Sequence, residues 1–289
     1  MKKYGVTTCS GLGVPQQTAP RRTLLKCMEC GSITVYPKPA DSEIEKYYAN
    51  YAEIDNCFVD GKGWYQRPAY EIVLNICKKL GKGNILDIGC ADGQLLYMLP
   101  ESFQKYGIDI SEKACGLARK KGISVSCSVL ESAIFSNKFD MIIALDFFEH
   151  IHNPWEAMNI ISDLLNPGGY VVFETGNADS FAAKFLKEDW SYTAIYGHLC
   201  ILTSKTLQEL AIKSNIRKVL LKKGWHARPT TMKVIHRNVL SMGFHAFRLI
   251  YRMLEPLTKR IEYLRRLYQH APPGAPHPDH MIFVGKKEL

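Results

Sequence analysis

The stretch NILDIGCADGQLL, residues 84–96, decides how the chain is read. Ile85, Leu86 and Ile88 make a short apolar run of the kind that forms a buried strand, Gly89 and Gly93 break it, and Leu95 and Leu96 resume an apolar helical pattern. Strand, glycine turn and helix in that order bring backbone N–H groups close to a ligand at a helix N-terminus. The glycines do not fall in the GxGxxG spacing of dinucleotide binders. Asp87 closes the apolar run and Asp92 stands in the turn, so two carboxylates would repel a pyrophosphate. A ligand carrying an ammonium or sulfonium cation suits them better.

Outward from this stretch, helical and strand patterns alternate. PAYEIVLNICKKLGKG, from residue 68, predicts a helix ending at glycine; KYGIDI a strand; SEKACGLARKKG a helix capped by Ser111; ISVSC a strand. KFDMIIALDFFEHI contains a buried strand, PWEAMNIISDLLNPGG is a helix with Pro154 at its start, and YVVFETG is another strand. SKTLQELAIKSN then reads as a helix, KVLLKKGWHA and DHMIFVGKK as strands. Strand–helix alternation implies right-handed crossovers and an α/β fold with a mostly parallel sheet covered by helices on both faces. Residues 177–203 and 229–279 interrupt the alternation, and they are the expected walls of a substrate site outside the carboxyl ends of the strands.

With these residues in place, LDIGCADG resembles the first motif of class I S-adenosylmethionine-dependent methyltransferases. YGIDIS resembles the second, SVLES the adenine-side segment, FDMIIALDFFEHIHNP the segment FD(x)nLEHxxxP, and LLNPGGYVVFETGN the strand after LKPGG. The resemblance covers roughly residues 65–215 and implies a Rossmann-like sheet of seven strands with S-adenosylmethionine as cofactor. Carried over position by position, it implies binding by Asp87, Gly89, Cys90, Ala91, Asp92, Gly93, Asp109, Ile110, Val129, Leu130, Leu145 and Asp146, with Asp109 taking the ribose hydroxyls. Relatives of this type imply a small acceptor, such as a sugar, a quinone or lipid precursor or a secondary metabolite. Methyl transfer to oxygen needs a base near neutral pKa, and His150 and His198 are the candidates. Trp190, Tyr192 and Tyr196 are expected around the acceptor. The rival enzyme class is a nicotinamide-dependent oxidoreductase, and the rival non-enzyme a catalytically inactive cofactor-binding scaffold.

Residues 1–40 carry Cys9, Cys27 and Cys30 with little periodicity and read as a small irregular module; residues 41–67 follow as a linker with a short helix begun by Asp41 or Ser42. CMECGSITVYPKP resembles the second half of a zinc ribbon that relatives place before this domain. Cys9 lacks a CxxC partner, so zinc would need a fourth ligand such as Cys57. Residues 68–228 and 280–289 form the expected catalytic domain, and 229–279 a helical insertion before the last strand.

The nine cysteines are scattered, not paired as a disulfide framework, and no apolar run approaches the length of a membrane span, which sets a cytoplasmic expectation. The net charge of +9 is local: residues 213–266 hold 14 Lys and Arg against Glu255 and Glu262. Between Thr231 and Tyr268 the apolar positions cluster on one side of a helix and Lys233, Arg237, Arg248, Arg252 and Lys259 on the other. That pattern suits a packed lid or a peripheral contact with an anionic membrane; without base-stacking aromatics on the basic face, nucleic acid is not an expected partner.

Overall fold

The computed structural model describes residues 2–8, 21–40, 42–44, 46–48, 67–187, 190–226 and 278–289, with single positions between 239 and 253. Eleven strands are named here in chain order. β1 (Lys2–Thr8), β2 (Arg21–Lys26), β3 (Ile33–Tyr36) and β9 (Cys200–Ile201) form one sheet in that order. β4 (Gly83–Ile88), β5 (Phe103–Asp109), β6 (Ser124–Cys127), β7 (Phe139–Leu145), β8 (Leu165–Gly176), β10 (Ile216–Gly224) and β11 (His280–Lys287) form the other. Its order is β10-β11-β8-β7-β4-β5-β6. β4 to β8 pair in parallel, while β11 runs antiparallel to both β8 and β10. This is the Rossmann-like mixed sheet the sequence pattern implies.

The alternation along β7 shows why its residues are apolar throughout. Met141 and Ile143 enter the core under α1 (Pro68–Leu80), with Val73, Ile76 and Cys77. Ile142 and Ala144 enter the opposite core, with Ala157, Met158 and Ile161 of α4 (Pro154–Leu164) and Leu207 and Ala211 of α6 (Ser204–Lys213). A strand buried on both faces cannot carry the polar-out half of an alternating pattern. The helices begin where short polar side chains supply caps: Ser111 Oγ accepts from Ala114 N at the start of α3 (Glu112–Lys120), and Asn153 Oδ1 from Glu156 N ahead of Pro154. Between β4 and β5 the helix α2 is one turn, Gln94–Tyr97, shorter than the apolar pattern predicts.

Two readings change. The described parts of residues 1–40 are not irregular: β1, β2 and β3 are strands of an antiparallel sheet whose fourth member, β9, comes from about 165 residues downstream. The pairing Ile33↔Ile201 is nonlocal, and a four-residue strand gives little periodicity to detect. This sheet shares a core of Leu24, Ile33, Val35 and Ile44 with Ala182, Ala183, Trp190 and Leu199 of the 177–203 interruption, α5 (Phe181–Leu186) included. Second, the basic surplus is partly an edge strand. Arg217, Lys218, Lys222 and Lys223 lie on β10 at the end of the sheet, where exposed lysines discourage pairing with another chain. Most of residues 229–279 lie outside the described set; Val239, Ile250 and Met253 within it are helical and exposed.

Candidate active site

The carboxyl end of β4 carries the turn of the opening stretch. Gly89 and Gly93 have φ of 77° and 72° and Ala91 of 46°, so the backbone here occupies left-handed space that glycine enters without strain. Gly93 also lies where a Cβ would stand 2.9 Å from the Cβ of Ala118, and Gly107 where one would stand 2.5 Å from Cys90 Sγ; at Gly89 such an atom would meet nothing within 4 Å. The turn is therefore packed from behind and open in front. Asp109, ending β5, accepts from Ala91 N at 2.8 Å and from Ser111 N at 2.9 Å. Each carboxylate oxygen keeps a further lone pair for ligand hydroxyls.

Asp87 is almost wholly buried, and burial, reinforced by the charge of Asp109 and opposed by Arg67, pushes its carboxyl up to about 8. A buried carboxyl of this kind is a place for a cation. The chemistry of the cradle thus fits a nucleoside joined to a cationic amino-acid tail. Asp92 instead accepts from Gln94 N and pairs with Lys121 Nζ, so it supports the turn. The Cys90 and Leu130 side chains are buried in the cores, leaving their backbones for a ligand, whereas Val129 is 38% exposed. Leu145 closes β7, and Asp146 follows it with φ of 54°.

Around Asp146 lies a polar cluster that the sequence did not single out. Arg67, the residue before Pro68 at the head of α1, sends Nη2 to Asp146 Oδ2 at 2.8 Å and its guanidinium to Glu174 of β8. His226, two residues beyond β10, places Nε2 2.8 Å from the same Asp146 oxygen. Desolvation opposes the charge on Asp146, yet Arg67 and His226 outweigh it and hold its carboxyl well below the usual range. Glu174 is fully buried, and burial keeps its carboxyl raised despite Arg67. Its Oε1 is buried without a hydrogen-bond partner among the described residues. A glutamate inside the apolar run YVVFETG is the same signal as Asp87 in NILDIG and could have been found the same way.

The structure brings His150 and His198 together, with ring centroids 4.8 Å apart. His150 Nδ1 contacts the Tyr48 hydroxyl and Gly197 O; His198 Nδ1 contacts Tyr192 O at 2.7 Å. His198 is buried, and burial together with His150 holds its pKa well below the usual value. Glu149, also buried, accepts from Thr175 Oγ1 at 2.8 Å and from the Tyr192 hydroxyl, tying the EH segment to β8 and the 177–203 interruption. Trp190 donates to Asp279 Oδ2, and Asp279 contacts His280 Nδ1 at 2.8 Å; burial lowers the His280 pKa but Asp279 raises it further. Tyr192 stacks on Trp190 and lies 4.0 Å from the His198 ring, while Tyr196 packs at the margin of the same core.

Cys27 and Cys30 lie in the turn joining β2 to β3 as free thiols, and neither belongs to a potential three-ligand metal group among the described residues; Cys9 and Cys57 lie outside those residues. The two such groups present are Glu149, His150 and His198, and Asp146, Glu174 and His226.

Sheet order, turn and buried acids define a class I methyltransferase fold, the S-adenosylmethionine-dependent type. Residues 64–221, more than half of the chain, match the family model described as a methyltransferase domain, and the chain belongs to that family. Among curated proteins it is similar to ubiquinone biosynthesis O-methyltransferases, with 32% identity over 118 residues to that of Azoarcus sp. (strain BH72), covering 38% of this chain and 50% of the relative. The corresponding protein of Thiobacillus denitrificans is 31% identical over 105 residues, 33% of this chain and 45% of the relative. The chain thus spans about half the length of the curated relatives it matches. Among solved structures, the 1,6-didemethyltoxoflavin-N1-methyltransferase of Burkholderia thailandensis shares the fold at a TM-score of 0.53 and 14% identity, with 93% of this chain and 96% of that one covered. The N-methyltransferase NodS of Bradyrhizobium japonicum WM9 does so at 0.50 and 15%, with 86% and 98% covered. Among the described residues no helix is long and apolar enough to cross a membrane.

Proposed function

We propose that this chain transfers a methyl group from S-adenosylmethionine to a hydroxyl of a small acceptor. The observation that carries the reading is the pairing of a cation-seeking carboxyl, Asp87, at the donor turn with a cluster of imidazoles, His150, His198 and His226 outside the strands and His280 at the first position of β11. Similarity to the ubiquinone biosynthesis O-methyltransferases supports oxygen over nitrogen as the methylated atom, and a phenolic or quinol precursor is the first acceptor to try. Bound S-adenosylmethionine would supply an electrophilic methyl on a sulfonium, a neutral thioether being the leaving group.

The chain's own residues then have three tasks. Asp87, the Gly89–Gly93 turn and Asp109 hold the donor, with Ile110, Val129, Leu130 and Leu145 lining it. Side chains at the carboxyl ends of β7 and β8 orient the acceptor, because an in-line displacement depends chiefly on positioning. A base removes the hydroxyl proton, and His150 and His198 are two of the imidazoles within that layer. Cys9, Cys27 and Cys30 would bind zinc as a structural element with no part in the transfer. We read residues 229–279 as a lid over the acceptor. Association with an anionic membrane is the second reading, favoured by exposed Val239, Ile250 and Met253 within the basic segment.

The deciding experiment incubates the purified chain with methyl-labelled S-adenosylmethionine and catechols, phenols, sugar nucleotides and primary amines. Label on oxygen of one hydroxylated compound, with stoichiometric S-adenosylhomocysteine, is the expected result. Transfer to amines alone, or tight S-adenosylhomocysteine binding with no transfer to any hydroxyl, would remove the O-methylation reading.

A further inference from the structure

We propose that His226 is the base that takes the acceptor's proton, oriented by Asp146, with Arg67 and Glu174 holding that carboxylate in place. The inference rests on methylation at oxygen and assigns the proton transfer to a histidine other than half-buried His150 and buried His198.

Geometry separates the three imidazoles. His226 Nε2 lies 2.8 Å from Asp146 Oδ2, and an ionised carboxylate only accepts, so Nε2 carries a hydrogen and the neutral ring keeps its lone pair on Nδ1. His150 and His198 instead have Nδ1 against protein carbonyls, Gly197 O at 3.0 Å and Tyr192 O at 2.7 Å. A carbonyl orients a ring, but a carboxylate also stabilises the imidazolium that forms when the ring takes a proton. The His226 side chain is 42% exposed, so it can meet an acceptor and afterwards return its proton to water; His198 is 5% exposed.

Asp146 is unusually well fixed for this task. Its φ of 54° aims the side chain away from the line of β7, and its N–H donates to Glu174 O at 2.8 Å. Arg67 Nη2 grips the same Oδ2 at 2.8 Å and also bonds Glu174, which is fully buried. β7 pairs directly with β4, so the dyad stands beside the strand end that carries the donor turn. The groups facing His226 are Asp146 from β7, Glu174 from β8, Arg67 from the head of α1, and the Asp279–His280 pair from β11, whose imidazole centroid is 5.1 Å away. Asp146, Glu174 and His226 could also gather a divalent cation. Arg67 already supplies a cation bonded to both carboxylates, which favours the dyad over the metal.

In the step itself the acceptor O–H proton passes to His226 Nδ1. The oxygen lone pair forms the new bond to the methyl carbon. With S-adenosylmethionine bound, the C–S electron pair would stay on its sulfur as sulfonium became thioether, and the His226 imidazolium would release its proton to solvent.

Two measurements test the assignment. Long-range 1H–15N spectra of the whole chain should show His226 as the Nε2–H tautomer, and Asp146→Asn should abolish that preference; an Nδ1–H tautomer in the parent protein overturns the proposal whether or not an acceptor is known. With any hydroxyl acceptor that the parent methylates, His226→Gln should lower kcat about 10²–10⁴-fold while S-adenosylhomocysteine affinity stays within about twofold. Asp146→Asn should lower kcat and shift the acid limb of its pH profile. Full kcat in His226→Gln across the pH range, or loss of parent activity in EDTA restored by a divalent metal, sinks the dyad. A parent that methylates only amines refutes the O-methylation reading instead, and leaves the tautomer result to judge the pair.

Discussion

Replacing Asp87 by asparagine should make the ligand-free protein more stable and the donor site weaker, and the two effects have calculable pH dependence. Burial and the neighbouring Asp109 carry the Asp87 carboxyl from the ordinary 3.8 up to about 8. Between these values the folded chain holds a proton that the unfolded chain has released. Stability therefore falls as pH rises through this window, by about 1.4 kcal/mol per pH unit for one proton, or roughly 3 kcal/mol from pH 5 to pH 7. Below 3.8 both states are protonated and the group contributes no slope; above 8 both are ionised and the loss is complete. Urea denaturation of the ligand-free protein at pH 5, 6 and 7 should show this slope in the parent, and Asp87→Asn should remove it. Donor binding supplies the complementary assay. If the ammonium of S-adenosylhomocysteine settles against Asp87, the carboxyl ionises, and at pH 7 about nine-tenths of a proton is released per ligand bound. Calorimetry in buffers of different ionisation enthalpy counts that proton, and Asp87→Asn should release none while binding more weakly. Equal pH slopes for parent and variant, or no proton release by the parent, would refute the account of Asp87 as a carboxyl waiting for a cation.

Three further outcomes follow from named contacts. Asp109→Ala should weaken S-adenosylhomocysteine binding by about 1.5–3 kcal/mol, whereas Asp92→Ala should leave affinity nearly unchanged and cost about 1 kcal/mol of stability, measured by calorimetry and by denaturation. Arg67→Ala leaves the buried Glu174 without its guanidinium and should destabilise by about 3–5 kcal/mol, less in acid than in alkali because burial already raises the Glu174 carboxyl and favours its neutral form; Arg67→Met with Glu174→Gln should recover much of the loss. Gly107→Ala puts a methyl where Cys90 Sγ stands and should cost about 1–3 kcal/mol, a cost that Cys90→Ala in the same chain relieves, as thermal melts would show.

The local signals in the sequence were strong where one segment dictates its own structure. The apolar runs that became β4, β5, β7 and β8, the cap Ser111, Pro154 at the head of α4, and the glycines of the turn all act within a few residues, so their spacing sufficed. Asp87 was legible for the same reason, a carboxylate at the end of a buried strand being a local anomaly, and Asp109 through the resemblance of YGIDIS to a family motif. β1 to β3 were not legible, because their partner β9 lies far along the chain and short strands leave weak periodicity. Arg67 and His226 were not legible either, since nothing beside them in the sequence marks them; they matter only because the fold carries both to Asp146.

By itself, the sequence determined the class of sheet and the donor turn, since hydrophobic period, caps and glycine positions are properties of contiguous residues. It also named His150 and His198 as imidazoles near the acceptor, from the order of the motifs. Only the tertiary structure decided which titratable groups meet. It set the two named histidines against carbonyls, His198 in the interior and His150 half-buried, and it joined a half-exposed histidine to a carboxylate that follows β7, an arginine that precedes α1 and a glutamate within β8. Such a cluster depends on contacts between residues 79, 80 and 107 positions apart, and the strength of each charge in it depends on burial that no single segment encodes.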